Sequence, residues 1–429
     1  MHLFPLRSNQ TILTRSASEA LHASEALHAS EALHPAGTRP DAGCALQGGI
    51  CRIKFSTPTA SSNSYGIADD AQEKCYDRHD SARPGPLHAG DQCGWPGFHQ
   101  DTRQTMKTRT FADTGRTVSE IGLGCWQLGA DWGPVSDAEA LRILETAADR
   151  GVTFFDTADV YGAGRSESLL GQFLGQRKAD VFVATKVGRR NYPGPYPTDV
   201  LRQHIDDCRR RLHMDVLDLV QLHCIPPDVL GAGEVFDALR TFQQQGMIRH
   251  FGASVESMDE ALMILDQPGL SSLQIIFNIF RQKAISTLFA KASARNVGII
   301  VRLPLASGLL AGKFTRETVF AADDHRHYNK DGDAFNVGET FAGLPLATGI
   351  ELAEQIKRFV PAGMTMAQFS QRWILDHPAV STVITGASQP SQVANNAAVS
   401  ELPPLSADIH RQLAEFYECS IRAHIRGVY

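Results

Sequence analysis

The stretch Phe154-Phe-Asp-Thr-Ala-Asp-Val-Tyr-Gly162 decides the fold of this chain. Two large apolar side chains run straight into a carboxylate, Asp156, and Tyr161 follows five positions later. The pattern is that of a buried strand spilling into a loop, where an aspartate with little water around it needs a partner. Lys186, thirty residues on, ends another apolar run and can be that partner, and His223 ends a third. Three strand ends that converge on one spot are how a parallel barrel builds an active site.

Working outward, a short hairpin is expected first, with Thr108–Phe111 and Thr117–Ile121 flanking a turn centred on Asp113-Thr114-Gly115. Apolar runs then alternate with helical patterns. The strand candidates are Gly122–Leu128, Val152–Phe155, Val181–Thr185, Leu217–Leu222, His250–Ala253, Leu273–Phe277, Gly298–Leu303 and Thr382–Thr385. Between them lie amphipathic stretches, among them Asp137–Asp149, Ser166–Leu174, Val200–Leu212, Ala232–Gln245, Met258–Leu265 and Ala284–Arg295. Ser136 and Ser166 are candidate N-caps, and Gly151 and Gly246 candidate helix stops. Eight strand–helix alternations predict a (β/α)8 barrel with an N-terminal hairpin. A doubly wound dinucleotide fold would need G-x-G-x-x-G after the first strand. Gly162-Ala-Gly164 begins that way, but Glu167 stands where the third glycine belongs.

The longest irregular piece, Thr315 to Pro345, follows the seventh strand candidate. A loop of that length is a lid or a disordered excursion. It carries His325 and His327 beside Asp323 and Asp324. The spacing matches no closed zinc site, and a solvated loop is the expectation.

The bulk numbers bound the function. The chain has 429 residues, is 43% hydrophobic and 21% charged, and carries a net charge of −6. With a pI near 6.2 it has no global basic field for nucleic acid. No apolar run approaches the roughly 20 residues that span a bilayer, and Met1–Arg15 has no continuous apolar core of a secretory signal. None of the eight cysteines forms a C-x-x-C pair. Cys125, Cys208, Cys224 and Cys419 read as reduced thiols of a cytoplasmic protein. Nothing in the composition sets an oligomeric state.

Residues 1–105 differ in character. Ser18 to His34 repeats Ser-Glu-Ala-Leu-His-Ala, a six-residue period that settles on no helix face. Pro35 to Gln104 is rich in Gly, Pro, Ser, Asp and His without sustained periodicity. Such a segment cannot offset an ordering cost of about 1–2 kcal/mol per residue. It reads as a disordered extension, or as translated upstream sequence, with a binding or targeting arm as the alternative. Met106 opens a segment of different texture, and residues 106–429 form the expected barrel domain.

Asp156, Tyr161, Lys186 and His223 make chemical sense together. A phenol is too weak an acid at neutral pH, with a reference pKa near 10. A nearby ammonium favours its anion, and a carboxylate keeps that ammonium charged in a desolvated site. The product is a general acid able to hand a proton to a carbonyl oxygen. A neutral imidazole at the same mouth orients that oxygen. The electrons must come from elsewhere, and a nicotinamide hydride is the natural source.

At these residues the chain resembles the aldo-keto reductase superfamily, from about Lys107 to the C-terminus. Gly151–Gly162 looks like the family's first signature, Ala184-Thr-Lys-Val-Gly188 like its lysine strand and Asp218–His223 like its histidine strand. The resemblance implies a catalytic tetrad of Asp156, Tyr161, Lys186 and His223, and NAD(P)-dependent carbonyl reduction or alcohol oxidation without a separate nucleotide domain. It implies that Ser254 and Gln274 hold the nicotinamide carboxamide. It places Leu303–Lys313, with Pro304, Leu305, Ser307 and Gly308, along the pyrophosphate. That segment fails as a Walker loop, which needs Gly at Ser307 and Ser or Thr at Phe314. Arg302 stands where many members carry an aromatic that stacks on the nicotinamide. Ile384–Asn396 resembles the adenosine site, with Gly386, Ser388, Gln392, Asn395 and Asn396. NADP-preferring members often place cations at the positions of Gly386, Ser388 and Gln392, all uncharged here. NADP and NAD both stay open, with the family default favouring NADP.

The substrate is expected to be a small carbonyl compound or sugar. Trp126, Trp132 and the loops after His223 and Phe314 supply the pocket, although both tryptophans also suit packing of the barrel rim. Two other functions compete. A non-catalytic nucleotide-sensing subunit would not need the proton donor, and an unrelated barrel hydrolase using Asp156 as a base would work without nicotinamide.

Overall fold

The computed structural model describes residues 106–130 and 133–429. The expectations for residues 1–105 and for Trp132 lie outside the described residues. Among the described residues there are ten strands: β1 (Thr108–Thr110), β2 (Thr117–Ser119), β3 (Ile121–Gly124), β4 (Phe154–Asp156), β5 (Phe182–Val187), β6 (Leu217–His223), β7 (Ile248–Ser254), β8 (Leu270–Ile276), β9 (Gly298–Arg302) and β10 (Val380–Gly386). Strands β1 and β2 pair antiparallel. Strands β3 to β10 close a parallel barrel in chain order, with β10 hydrogen-bonded to both β9 and β3.

Period-2 alternation explains how these strands build a layered interior. Alternate residues point inward, so Phe154 and Asp156, Phe182, Ala184 and Lys186, and Leu219, Gln221 and His223 form successive layers. The lower layer is apolar. Phe154, Phe182, Ala184, Leu219, Ile300 and Ile384 cluster there with Phe111 and Val118 of the hairpin. The Phe111 ring meets Phe154 edge-on at 5.5 Å and Phe182 at 5.3 Å. The hairpin is therefore a plug for one barrel end, and the polar layer lies at the C-terminal strand ends.

Helices cover the barrel, and their limits follow local chemistry. Asp137–Asp149 starts at Ser136, whose side chain accepts from the Glu139 N–H, and the chain turns out of it at Gly151 with φ +78°. Gly246 has the same role at φ +71°. Ser166 is not a cap. The helix Arg165–Gln176 begins one residue earlier, with Gly164 at its N-cap. Ser166 is buried instead, donating to Cys125 O at 2.8 Å and lying 2.9 Å from Thr157 Oγ1, and so ties the loop after β4 to the end of β3. The predicted first barrel strand was too long, because the chain leaves the sheet at Gly124 and coils through Trp126–Gly129. The predicted helix Ala284–Arg295 is broken at Leu288 into Ala284–Thr287 and Phe289–Ala294.

The piece after β9 is not a solvated excursion. It contains short helical turns at His325–Tyr328, Val337–Glu339 and Phe341–Gly343. His325, Asn329, Thr340 and Phe341 within it are fully buried. Asn329 organises the interior of the loop by accepting from the Ala334 and Phe335 N–H groups and donating to Thr340 Oγ1.

Candidate active site

Parallel register brings the polar residues to one level. Asp156 pairs with Ala184, Lys186 with Gln221, His223 with Ser254, and Ser254 with Gln274 across neighbouring strands. Lys186, which has no solvent exposure, donates from Nζ to Asp156 Oδ2 at 2.5 Å, Thr157 O at 3.0 Å and Tyr161 Oη at 3.1 Å. All three ammonium donor positions are thereby used. Asp156 Oδ1 accepts from Gln274 Nε2 at 2.8 Å and Gln221 Nε2 at 3.3 Å. A buried ion pair needs such additional bonds to offset its desolvation. Gln221 and Thr157 were not anticipated. Gln221 was legible as an amide inside an apolar strand, whereas the Thr157 contact is made by backbone.

Tyr161 reaches this level through a tight turn. Gly162 has φ +56°, and a Cβ there would lie 2.4 Å from Gly129 O, so only glycine fits between the turn and the Trp126–Gly129 coil. The Tyr161 ring stacks on Trp126 at 5.8 Å and meets His223 edge-on at 5.8 Å.

The electrostatics refine the sequence expectation. Burial pushes the Tyr161 phenol up to about 12, although Lys186 pulls the other way. The ammonium therefore offsets desolvation and does not bring the phenol below its ordinary value. Burial opposes charge on Lys186 too, but Asp156 and then Tyr161 more than compensate, and its pKa stands above the usual lysine value. Burial, reinforced by Lys186, Arg189 and Arg302, drives His223 well below the usual imidazole range, so it is neutral. Its Nδ1 is buried without a hydrogen-bond partner among the described residues.

A cavity of about 660 Å³ opens above these groups. Asp156, Tyr161, His223, Ser254 and Gln274 line one end, Arg302, Pro304, Leu305, Ser307 and Gly308 its flank, and Gly386, Ser388, Gln392, Asn395 and Asn396 the far end. Every anticipated catalytic and cofactor residue lines it except Lys186, which lies beneath the phenol. Ser254 Oγ faces Cys224 Sγ at 3.7 Å, and Asn396 Oδ1 accepts from Gln371 Nε2 at 3.0 Å. Gln392 Oε1 accepts from the Ser388 N–H at 2.7 Å, at the start of the helix Pro390–Ala397.

The donor set suits a nicotinamide dinucleotide. Amide and hydroxyl groups occupy one end, a backbone with positive φ at Ser307 and Gly308 follows the flank, and a helix start faces the other end. Arg302 is anchored before any ligand arrives. Its guanidinium pairs with Glu339 and donates to Val255 O at 2.9 Å. Glu339, Phe335 and Arg326, from the piece after β9 that was expected to supply the pocket, also line the cavity, although no motif singled these three out. His325, expected in solvent, is buried 5.2 Å from Trp126, and Asp324 is ion-paired to Arg326. Among the described residues the one cluster with metal-ligand geometry is Cys224, Glu256 and Glu339. Arg302 already neutralises Glu339 there, and Arg189 lies 3.6 Å from Glu256.

Residues 120–418 match the model of the Aldo/keto reductase family. The chain belongs to that family. This aldo/keto reductase is 26% identical over 297 residues to Aldo-keto reductase YhdN of Bacillus subtilis, covering 67% of this chain and 87% of the relative. It is 29% identical over 324 residues to a probable voltage-gated potassium channel subunit beta of Arabidopsis thaliana, covering 71% and 94%. The glycerol dehydrogenase AKR11B4 structure from Gluconobacter oxydans superposes with a TM-score of 0.61 at 25% identity, covering 76% of this chain and 99% of that one. Aldo/keto reductases are oxidoreductases of small carbonyl substrates that use a nicotinamide cofactor. Among the described residues of this reductase no helix is long and apolar enough to cross a membrane.

Proposed function

We propose that this protein reduces aldehydes or ketones, or oxidises alcohols or sugars, with Tyr161 as the proton-transfer residue and NADP or NAD as cofactor. The observation that carries this reading is the buried chain from Asp156 through Lys186 Nζ to Tyr161 Oη at the floor of the cavity. Bound NAD(P)H would supply the hydride. Ser254 and the free Oε1 of Gln274 would hold its carboxamide, while Ser388, Gln392, Asn395 and Asn396 would receive the adenosine end.

The chain's own residues account for the proton. At neutral pH Tyr161 is fully protonated, which is the form that donates. A phenol near 12 is still far more acidic than the alcohol it produces, so transfer to an alkoxide runs downhill. Lys186, 3.1 Å away and held charged by Asp156, stabilises the phenolate left behind. Neutral His223, at right angles to the Tyr161 ring, donates to and orients the same oxygen. Trp126 stacked on Tyr161 keeps water from that face. In alcohol oxidation the steps reverse. The four described cysteines are unpaired, in keeping with a cytoplasmic setting.

Oxidation of NADPH and of NADH by purified protein, across a panel of aldehydes and aldoses, tests the proposal. Similarity to a potassium-channel beta subunit favours one second reading, a nucleotide-sensing subunit. Tight nucleotide binding with no turnover of any carbonyl would support that reading over catalysis.

A further inference from the structure

The cavity wall formed by Phe335 and Glu339 belongs to a piece of chain with little regular structure, so something outside the cavity must hold it. Arg302 and Ser307 hold Glu339 from the cavity side, and a second set of contacts comes from the last five residues. Arg426 donates from its backbone N–H and from Nε to Gly343 O at 3.1 and 3.0 Å, and its Nη groups reach Asp331 Oδ1 and Lys330 O at 2.8 Å each. The two backbones touch, since a Cβ on Gly343 would lie 2.8 Å from Arg426 O, and one on Gly427 2.7 Å from Val337 Cγ1.

Tyr429 completes the fastening. Its carbonyl accepts from Lys283 Nζ at 2.6 Å, and its hydroxyl lies 2.9 Å from the Tyr417 hydroxyl. Its ring covers Arg281, whose guanidinium carbon is 4.8 Å from the centroid. Arg281 is buried, and its Nε and Nη2 have no hydrogen-bond partner among the described residues. Its other side packs on Gly338, where a Cβ would be 2.6 Å from Nη1. Gly338 directly precedes Glu339, which holds Arg302 at the cavity. Removing an aromatic face from a desolvated cation forfeits their attraction and opens the cation to water. The contacts therefore run unbroken from Tyr429 through Arg281 and Gly338 to Glu339.

We infer that Arg426 and Tyr429 are positioning residues, clasping the 315–345 segment so that Phe335 and Glu339 wall the cavity. Only the kinetic readout of this inference rests on the function proposed above. The variants are Tyr429→Ala, Tyr429→Phe, Arg426→Gln and Arg426→Lys in the full chain. The measurements are limited proteolysis of the 315–345 segment, NADPH dissociation followed by fluorescence, and KM against kcat with an aldehyde. In Tyr429→Ala, cleavage within 315–345 and NADPH release each speed up about thirtyfold, the size of one desolvated cation–π contact. KM rises while kcat holds. Tyr429→Phe, which keeps the ring over Arg281 and gives up only the contact with the Tyr417 hydroxyl, loses much less than Tyr429→Ala, and Arg426→Lys loses less than Arg426→Gln. Should Tyr429→Ala fail to fold, Arg426→Gln, at a partly exposed position, carries the test. Unchanged loop cleavage in both Tyr429→Ala and Arg426→Gln overturns the inference, even if global stability falls. If the unmodified protein binds no NADPH, the proposed function fails, and loop cleavage alone still decides the clasp.

Discussion

Gln274 Nε2 lies 2.8 Å from Asp156 Oδ1, so an amide expected to meet the nicotinamide is already bonded to the carboxylate that holds Lys186. The two tasks are compatible. The Gln274 amide N–H groups serve Asp156 and Gln221, and its carbonyl is left for a carboxamide N–H. This couples the ion pair to the cavity floor through one side chain. Replacing Gln274 with Leu leaves Asp156 Oδ1 with only the longer Gln221 bond. A loss of about 1–3 kcal/mol is expected in denaturant titration, the cost of an under-satisfied buried acceptor, together with weaker nucleotide binding.

Tyr161→Phe removes the donor and keeps the ring against Trp126. Carbonyl reduction should fall at least about a hundredfold, as for loss of a general acid, with nucleotide affinity near that of the unmodified protein. Steady-state assays beside a fluorescence titration check both halves. Retained turnover would remove the phenol from the mechanism.

Lys186→Met strips the counter-ion from a carboxylate that is itself 1% exposed. Breaking a buried pair on one side costs about 3–5 kcal/mol, so the variant should unfold at distinctly lower denaturant. Pairing it with Asp156→Asn should recover part of the loss, because no unpaired charge then remains. A double-variant cycle measures that recovery.

Asp159 predicts a pH effect on stability. It is buried 3.5 Å from Arg190 Nε and 3.8 Å from His204 Nδ1, with no hydrogen bond to either oxygen among the described residues. Burial raises its pKa to about 7, against the pull of Arg190. The native state thus binds this proton more tightly than the unfolded chain does. Its contribution is fully present below the ordinary carboxylate pKa of 3.8 and is lost as pH rises through about 7. Asp159→Asn should flatten the stability profile on that limb and exceed the unmodified protein at pH above 7. A larger loss at alkaline than at acidic pH would mean that attraction to Arg190 dominates.

Cofactor choice is testable at Gln392. Its Oε1 takes the Ser388 N–H at the cavity end proposed for the adenosine, and no cation is supplied there by Gly386, Ser388 or Gln392. Gln392→Arg adds a charge-assisted bond of about 1.5–3 kcal/mol. NADP(H) affinity should rise at least about tenfold relative to NAD(H), read by parallel titrations. An unchanged ratio would place the adenosine phosphate elsewhere.

Much of the barrel was legible because its signal is local. Phe154-Phe-Asp156, Phe182 to Lys186 and Leu217 to His223 are apolar runs whose inward positions turn polar at the C-terminal end. A period of two then assigns each side chain its face. The limits were less legible. Gly124 to Leu128 is apolar enough to continue a strand, yet the chain turns at Cys125, whose N–H bonds Asp156 O across the barrel mouth. Ser166 looked like a cap because capping and burial draw on the same hydroxyl chemistry, and only a neighbouring backbone decides between them.

By itself the sequence determined which polar side chains meet at one mouth, since alternation along a strand and the order of strands in a parallel barrel place Asp156, Lys186 and His223 there, and Tyr161 follows on the turn five residues after Asp156, without reference to distant segments. Tertiary structure alone decided the wall around them. Phe335 and Glu339 reach the cavity because Arg302, Ser307, Arg281 and Arg426 hold an aperiodic piece of chain in place, and contacts between residues far apart in sequence leave no periodic trace. It also decided the balance at Tyr161, where burial outweighs the nearby ammonium, because desolvation depends on every group packed around the phenol.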